Sequence, residues 1–215
     1  MFCQRWGQVF PQSMCFSDAD RRSASEVSGF RLQASGFVGG TVGCLSAVYL
    51  VAGVCLVALQ RLLELAYSRR NERRLRARGA VEWGAGHYPL MVGLHVLWLV
   101  SMLVEGLLRG PEIPQWWPLP LTAFLLVQPL RYWAIVSLGT NWNTRVLVVP
   151  GGKVVRSGPY RYFPHPNYVV VAVEILTFPL IFGAWVTAIV FSILNAALLF
   201  VRIRTENRAL QELTG

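Results

Sequence analysis

Charge is scarce in this chain. Only 14% of its 215 residues are Asp, Glu, Lys or Arg, against about 25% in an ordinary soluble domain. With 54% hydrophobic residues, that deficit argues against a water-soluble globular protein. Cysteine is sparse too. Cys3 and Cys15 lie near the N-terminus, Cys44 and Cys55 lie in an apolar run, and no Cys-x-x-Cys occurs. A disulfide framework, a structural zinc and a dithiol redox site therefore have no support, and no metal is expected. Cys44 and Cys55 read as small packing residues. There is no Walker loop, no Rossmann glycine fingerprint and no zinc-protease motif. Residues 1–36 lack the apolar core of a signal peptide. They are polar and mixed in charge, read as a disordered segment, and are assigned no function.

What the chain does have is long apolar runs. Phe37 to Leu59 carries no charge at all, and about 20 such residues cross a bilayer core. Pro89 to Leu108 is interrupted only by His95 and Glu105, and Trp116 to Leu138 only by Arg131. Tyr168 to Val201 contains one charge, Glu174. That run is too long for one span and fits two short ones, with Phe178-Pro179 and Phe182-Gly183 as the break. One long kinked helix is the alternative. The expected fold is all-α, with five transmembrane helices at about 37–59, 89–108, 116–138, 166–182 and 184–202, the last two a tight hairpin.

The net charge of +9 follows this topology and is not a nucleic-acid signal. The loop 60–86 holds seven arginines against three glutamates, and the loop 139–165 holds Arg145, Lys153, Arg156 and Arg161 with no acid. Lys and Arg accumulate in cytoplasmic loops. The expected location is the cell (inner) membrane, with the N-terminus outside and the C-terminus cytoplasmic. Arg61 to Arg78 reads as a helical continuation of the first span. Leu62, Leu63, Leu65 and Leu75 form its apolar stripe, and a basic face is free for membrane lipids. Gly79 ends it. Trp116 and Trp117 read as interfacial anchors.

Charges inside spans are costly and face a cavity or a partner. Arg131 and Glu174 are opposite in sign. They read either as a structural ion pair or as the substrate side of a polar pocket. Asn167 and Glu174, seven apart, share a helix face, and Asn195, Arg202 and Glu206 share another. Between the basic loop and the last hairpin stands Ser157 to Tyr168, SGPYRYFPHPNY. Pro164 and Pro166 hold its backbone extended and present His165. Tyr160, Arg161, Tyr162, Asn167 and Tyr168 surround it in sequence. Aromatic rings beside polar donors suit an adenine-like ring and a zwitterion.

Gly158-Pro159-Tyr160-Arg161, then His165-Pro166-x-Tyr168, then a hairpin, then Arg202-x-Arg204-x-Glu206 resembles the isoprenylcysteine carboxyl methyltransferases. The likeness runs from about Asn141 to Leu213. Upstream, Arg61-Leu-Leu-Glu-Leu, Ser68-Arg-Arg-Asn-Glu and Gly84-Ala-Gly-His-Tyr-Pro resemble a bacterial branch of that family. The resemblance implies that residues 37–215 form an integral-membrane methyltransferase domain using S-adenosylmethionine. It implies a cofactor site of Tyr160, Arg161, His165, Pro166, Tyr168, Arg202 and Glu206. The family pattern has Arg-His-Pro where this chain has Pro164-His165-Pro166, and Arg161 is the residue placed to compensate.

The implied acceptor is lipophilic: an isoprenylcysteine-like carboxylate, or the hydroxyl of an alkylpyrone or phenolic lipid. A carboxylate needs no base. A hydroxyl needs one, and Glu174 and His165 are the catalytic candidates. Arg131, Asn167 and Glu174 are placed on the substrate side. The alternatives are phospholipid N-methylation, and a non-catalytic membrane binding or scaffold protein that keeps the fold.

Overall fold

A computed structural model of the chain describes the backbone of residues 18–110 and 113–214, and the side chains of residues 44–110 and 113–213. The chain divides into two units, Met1–Val42 and Gly43–Gly215. The expectation for residues 1–36 falls on residues 1–17, outside the described residues, and on the start of helix α1 (Asp18–Ala77). Cys3 and Cys15 lie outside them as well. The second unit carries every described side chain.

Among the described residues, α1 is followed by four further helices: α2 (Tyr88–Leu108), α3 (Pro118–Leu138), α4 (Pro166–Ile181) and α5 (Trp185–Thr214). The stretch Cys44–Ala77 of α1, together with α2, α3 and α5, is long and apolar enough to cross a membrane, while α4 is apolar but shorter. The protein is thus an all-α polytopic membrane protein. Proline marks several starts, at Pro118 and Pro166, where the ring is tolerated because the first-turn N–H has no helical partner.

The terminal hairpin forms as two helices, not one kinked helix. Pro179 accepts from the N–H groups of Phe182 at 3.1 Å and Ala184 at 3.0 Å, which turns the chain. Only its first arm is short. The second runs on for 30 residues to Thr214, well past the expected limit of 202. Glu105, near the end of α2, explains how α5 begins. Its carboxylate accepts from the backbone N–H of Val186 at 3.1 Å and of Thr187 at 2.7 Å. Those donors have no partner inside the helix, so the costly charge is a cap supplied from another helix. Arg109 completes it at 3.1 Å.

The core lies where α1, α2 and α4 meet. Leu50, Val54, Trp98, Met102, Val171, Ile175 and Phe178 are buried there, and Trp98 donates to the Ile175 carbonyl at 3.2 Å. Outward, Leu56, Leu97, Leu126 and Ile193 stay exposed. In lipid that costs nothing, because helix association there depends on packing and interhelical polar contacts.

Helix α1 continues past its apolar run to Ala77, as expected. Gly79, at φ 82, supplies the left-handed turn that ends it. The face it buries matches the expected leucine stripe only at Leu75. Leu62 and Leu63 are exposed, and Ser68 and Asn71 are buried with Leu75 instead. Asn71 donates to the carbonyls of Gly139 at 3.1 Å and Trp142 at 2.9 Å, and the Thr144 N–H donates to Ser68 at 2.9 Å. The motif Ser68-x-x-Asn71 is therefore a clamp on the loop after α3.

That loop holds an element with no warning in the sequence. Strands β1 (Val81–Trp83) and β2 (Val146–Val148) pair antiparallel, Val81 opposite Val148. Val146 and Val148 pack on Ala209, Leu210 and Leu213 of α5, and the Gly151 N–H donates to the Leu213 carbonyl at 2.8 Å. Three-residue strands have no alternation long enough to read. Glu82 is tied to Arg145 at 2.5 Å and also to Arg76, and Arg145 lies 4.0 Å over the Tyr88 ring. The result is a polar strap across the water-side ends of α1, α2 and α5.

Candidate functional site

The strap, α1, α2 and the end of α5 enclose one cavity of about 900 Å³, within the roughly 300–1,000 Å³ of small-molecule sites. All three histidines of the chain, His87, His95 and His165, line it.

One wall is the expected motif. A Cβ at Gly158 would fall 2.0 Å from the Ser137 hydroxyl, and φ there is 60, so only glycine lets the turn Gly158–Arg161 pack on α3. That turn brings Tyr160 to the cavity. Burial, reinforced by the charge of Glu206, pushes the Tyr160 phenol up, so it stays neutral. His165 precedes α4, stacks on Tyr168 with ring centres 5.1 Å apart, and its Nε2 lies 3.1 Å from Asn207 Oδ1. Because a side-chain amide oxygen only accepts, that nitrogen carries the proton. His165 Nδ1 lies 3.8 Å from Glu206.

Arg202 Nε donates to the Tyr168 hydroxyl at 2.7 Å, and Tyr168 donates to Glu206. Tyr168 thereby fixes a cation and a carboxylate side by side on α5. Arg202 also reaches Met91 Sδ at 3.0 Å. Asn195, Arg202 and Glu206 all line the cavity, as their shared helix face requires. Asn167 lines it too, and its Oδ1 is buried with no hydrogen-bond partner. A buried acceptor left unpaired costs free energy, and it belongs to a residue of the cavity wall.

Other expected residues stand elsewhere. Pro166 is buried at the first turn of α4 and is not on the wall. Arg161 and Pro164 line the mouth and are exposed. Arg161 has no ion pair among the described residues.

Arg131 and Glu174 are joined, and two partners that the sequence reading missed join them. Glu174 accepts from Arg61 at 2.5 Å, from Gln128 at 2.7 Å and from Arg131. Glu64 accepts from Arg131 at 2.5 Å and from Arg61 at 3.1 Å. Two cations and two anions close to zero net charge, which is what makes burial of four ions tolerable. Arg61, Glu64 and Arg131 reach the cavity, while Glu174 stands behind them. Arg61 and Glu64 lie directly after the apolar run ending at Leu59. Charges so close to a span end were legible as inward-facing only if paired with Arg131 and Glu174.

Beyond this network the wall is apolar. Leu62 of α1 and Val92 and Val96 of α2 line the cavity and are also 63%, 40% and 55% exposed. The cavity thus opens between α1 and α2 onto lipid-facing surface. Its other end is rimmed by Lys153, Arg156 and Arg161.

Residues 119–212 match the model of the isoprenylcysteine carboxyl methyltransferase (ICMT) family. The uncharacterized protein YpbQ of Bacillus subtilis (strain 168) is 46% identical over 159 residues, which cover 74% of this chain and 95% of that one. An uncharacterized protein of Haemophilus influenzae is 26% identical over 160 residues, 74% of this chain and 92% of its own. A terminal hairpin, a Gly-Pro-Tyr-Arg turn that only glycine permits and an Arg–Tyr–Glu chain within one membrane cavity agree with these matches, and the chain belongs to the isoprenylcysteine carboxyl methyltransferase family.

Proposed function

We propose that the protein is an S-adenosylmethionine-dependent O-methyltransferase acting on a lipophilic acceptor at the cytoplasmic face of the cell membrane. The carrying observation is the Arg202–Tyr168–Glu206 chain beside the unpaired Asn167 Oδ1, in a cavity whose opposite wall opens to lipid. The donor set suits the cofactor. A guanidinium answers a carboxylate, Glu206 and the Asn167 oxygen answer an ammonium, and the Tyr160 and Tyr168 rings answer an adenine. In this reading Arg161, at the cavity rim, takes over from the arginine that Pro164 displaces.

When bound, S-adenosylmethionine supplies a sulfonium methyl group as the electrophile. The protein's part is then mainly positioning and exclusion of water. Holding two reactants in line is worth up to roughly 7–11 kcal/mol of barrier. The strap covers the polar end, and Met91, Leu99, Val171 and Leu198 dry the middle. The acceptor chain would lie toward Leu62, Val92 and Val96, with its head in the cavity. That head is an isoprenylcysteine-like carboxylate or the hydroxyl of an alkylpyrone or phenolic lipid. The excess of Lys and Arg in the loops 60–86 and 139–165 supports cytoplasmic placement of this end.

Calorimetric titration of the purified protein with S-adenosylhomocysteine tests the cofactor reading. Micromolar binding that weakens in Glu206→Ala is expected, and no binding at millimolar ligand would sink it. Labelled-methyl transfer into lipid extracts, followed by mild base release, then separates esters from ethers and from amines. An amine product would replace this reading with phospholipid N-methylation.

A further inference from the structure

We propose that His95 is the general base of this cavity, and that the acceptor head is accordingly a weakly acidic hydroxyl, a phenol or an enol, and not a carboxylate. The inference rests on the methyltransferase reading above. His95 sits mid-way along α2. Its Nδ1 lies 2.8 Å from the carbonyl oxygen of Met91, one turn earlier. A carbonyl oxygen can only accept, so Nδ1 carries the hydrogen and Nε2 keeps its lone pair. Among the described residues nothing is hydrogen-bonded to that Nε2, and His95 lines the cavity. The backbone contact therefore orients the ring and selects its tautomer, as the partner of a catalytic imidazole does.

The other basic groups on or near the wall are spoken for. Glu174 is held by three donors and stands behind the wall. Glu64 is shared between Arg131 and Arg61. Glu206 takes the Tyr168 hydroxyl. His165 donates through Nε2 to Asn207 at the polar end. His87 opens α2, eight residues before His95 and so roughly 12 Å away along the helix. It packs against Gly84 at the water side, with no hydrogen bond to its ring among the described residues. His95 lies instead beside Val92, Val96 and Leu99, where an acceptor entering from lipid would bring its head. The charges facing it are Arg61 and Glu64 of α1, Arg131 of α3 and Glu174 of α4. Arg61 and Arg131 also line the cavity, and their positive charge favours a developing oxyanion.

The step balances simply. The acceptor O–H proton passes to Nε2 as the new O–CH3 bond forms. The C–S electron pair stays on sulfur, leaving S-adenosylhomocysteine, and the imidazolium returns its proton to water at the cavity mouth. A carboxylate head is already ionised and would leave the oriented lone pair without use.

A phenol carrying a long alkyl chain tests this in the full-length protein. Wild type should methylate it in preference to a long-chain fatty acid. His95→Gln and His95→Asn should bind S-adenosylhomocysteine like wild type and lose at least about a hundredfold in kcat with little change in KM, a loss that shrinks on a 4-nitrophenol of the same chain length, whose ionised form needs no base. A wild type that binds S-adenosylhomocysteine but methylates only the fatty acid overturns the inference and leaves the methyltransferase reading standing. So do His95 variants that keep wild-type turnover of the phenol. A wild type that binds no S-adenosylhomocysteine defeats both.

Discussion

Arg202 of α5 donates to the hydroxyl of Tyr168 on α4 across 2.7 Å. One phenol thus couples the two arms of the hairpin, since the same hydroxyl donates to Glu206. Removing it leaves the arms packed but frees both charges to move.

Tyr168→Phe should therefore weaken S-adenosylhomocysteine binding by about ten- to a hundredfold, the range of a lost hydrogen bond to a charged group. The thermal midpoint in detergent should change little. Calorimetry and a melting curve on one preparation measure both effects.

The Arg61–Glu64–Arg131–Glu174 network makes a different prediction. Arg131→Met leaves Glu174 and Glu64 short of a cation and should cost about 3–5 kcal/mol of stability. Combining it with Glu174→Met should cost less than the two singles added together, because the second change removes the stranded charge. A double-mutant cycle of unfolding free energies in detergent measures the coupling.

Glu105 acts at a helix start, not in chemistry. Glu105→Ala uncovers the N–H groups of Val186 and Thr187 and should destabilise the protein by about 1 kcal/mol. Cofactor binding, far along α5, should stay within error of wild type. A loss of binding would mean that the cap also sets the position of Arg202 and Glu206.

The strap should loosen in acid. Burial pushes the Glu82 carboxyl up, but hydrogen bonds and charge from Arg145 and Arg76 outweigh it and hold the group below the usual carboxylate range. A carboxyl held low in the folded state adds stability above its unfolded value and loses it as pH falls through the folded value. Hydrogen exchange at residues 81–83 and 146–148 should accelerate below about pH 4. Glu82→Gln should exchange fast at neutral pH and lose that acid step.

Much of the fold was legible because bilayers impose simple rules. Four of the five expected spans coincide with helices long enough to cross, and Phe182-Gly183 was the turn. The strap was not legible. Its strands are three residues each, and their pairing depends on α5 reaching Leu213 to cover Val146 and Val148.

The site divides along the same line. Asn195, Arg202 and Glu206 could be grouped from spacing alone, since helix periodicity places side chains on a face, whereas Tyr168, on the other arm, joined them only through the family resemblance. His95 and Arg61 could not be assigned, because no spacing within α1 or α2 says which way they turn. Glu174 illustrates the limit: a single acid in an apolar run must find partners, yet catalytic and structural partners look alike in one dimension.

The sequence by itself determined the membrane class, the hairpin and the order of motif residues, because hydropathy, proline and helical periodicity act locally along the chain. Only the tertiary structure decided which charges pair off and which polar atoms are left facing the cavity. That choice is made by distances between helices far apart in sequence: Arg61 meets Glu174, while His95 bonds only to its own helix and keeps its Nε2 free.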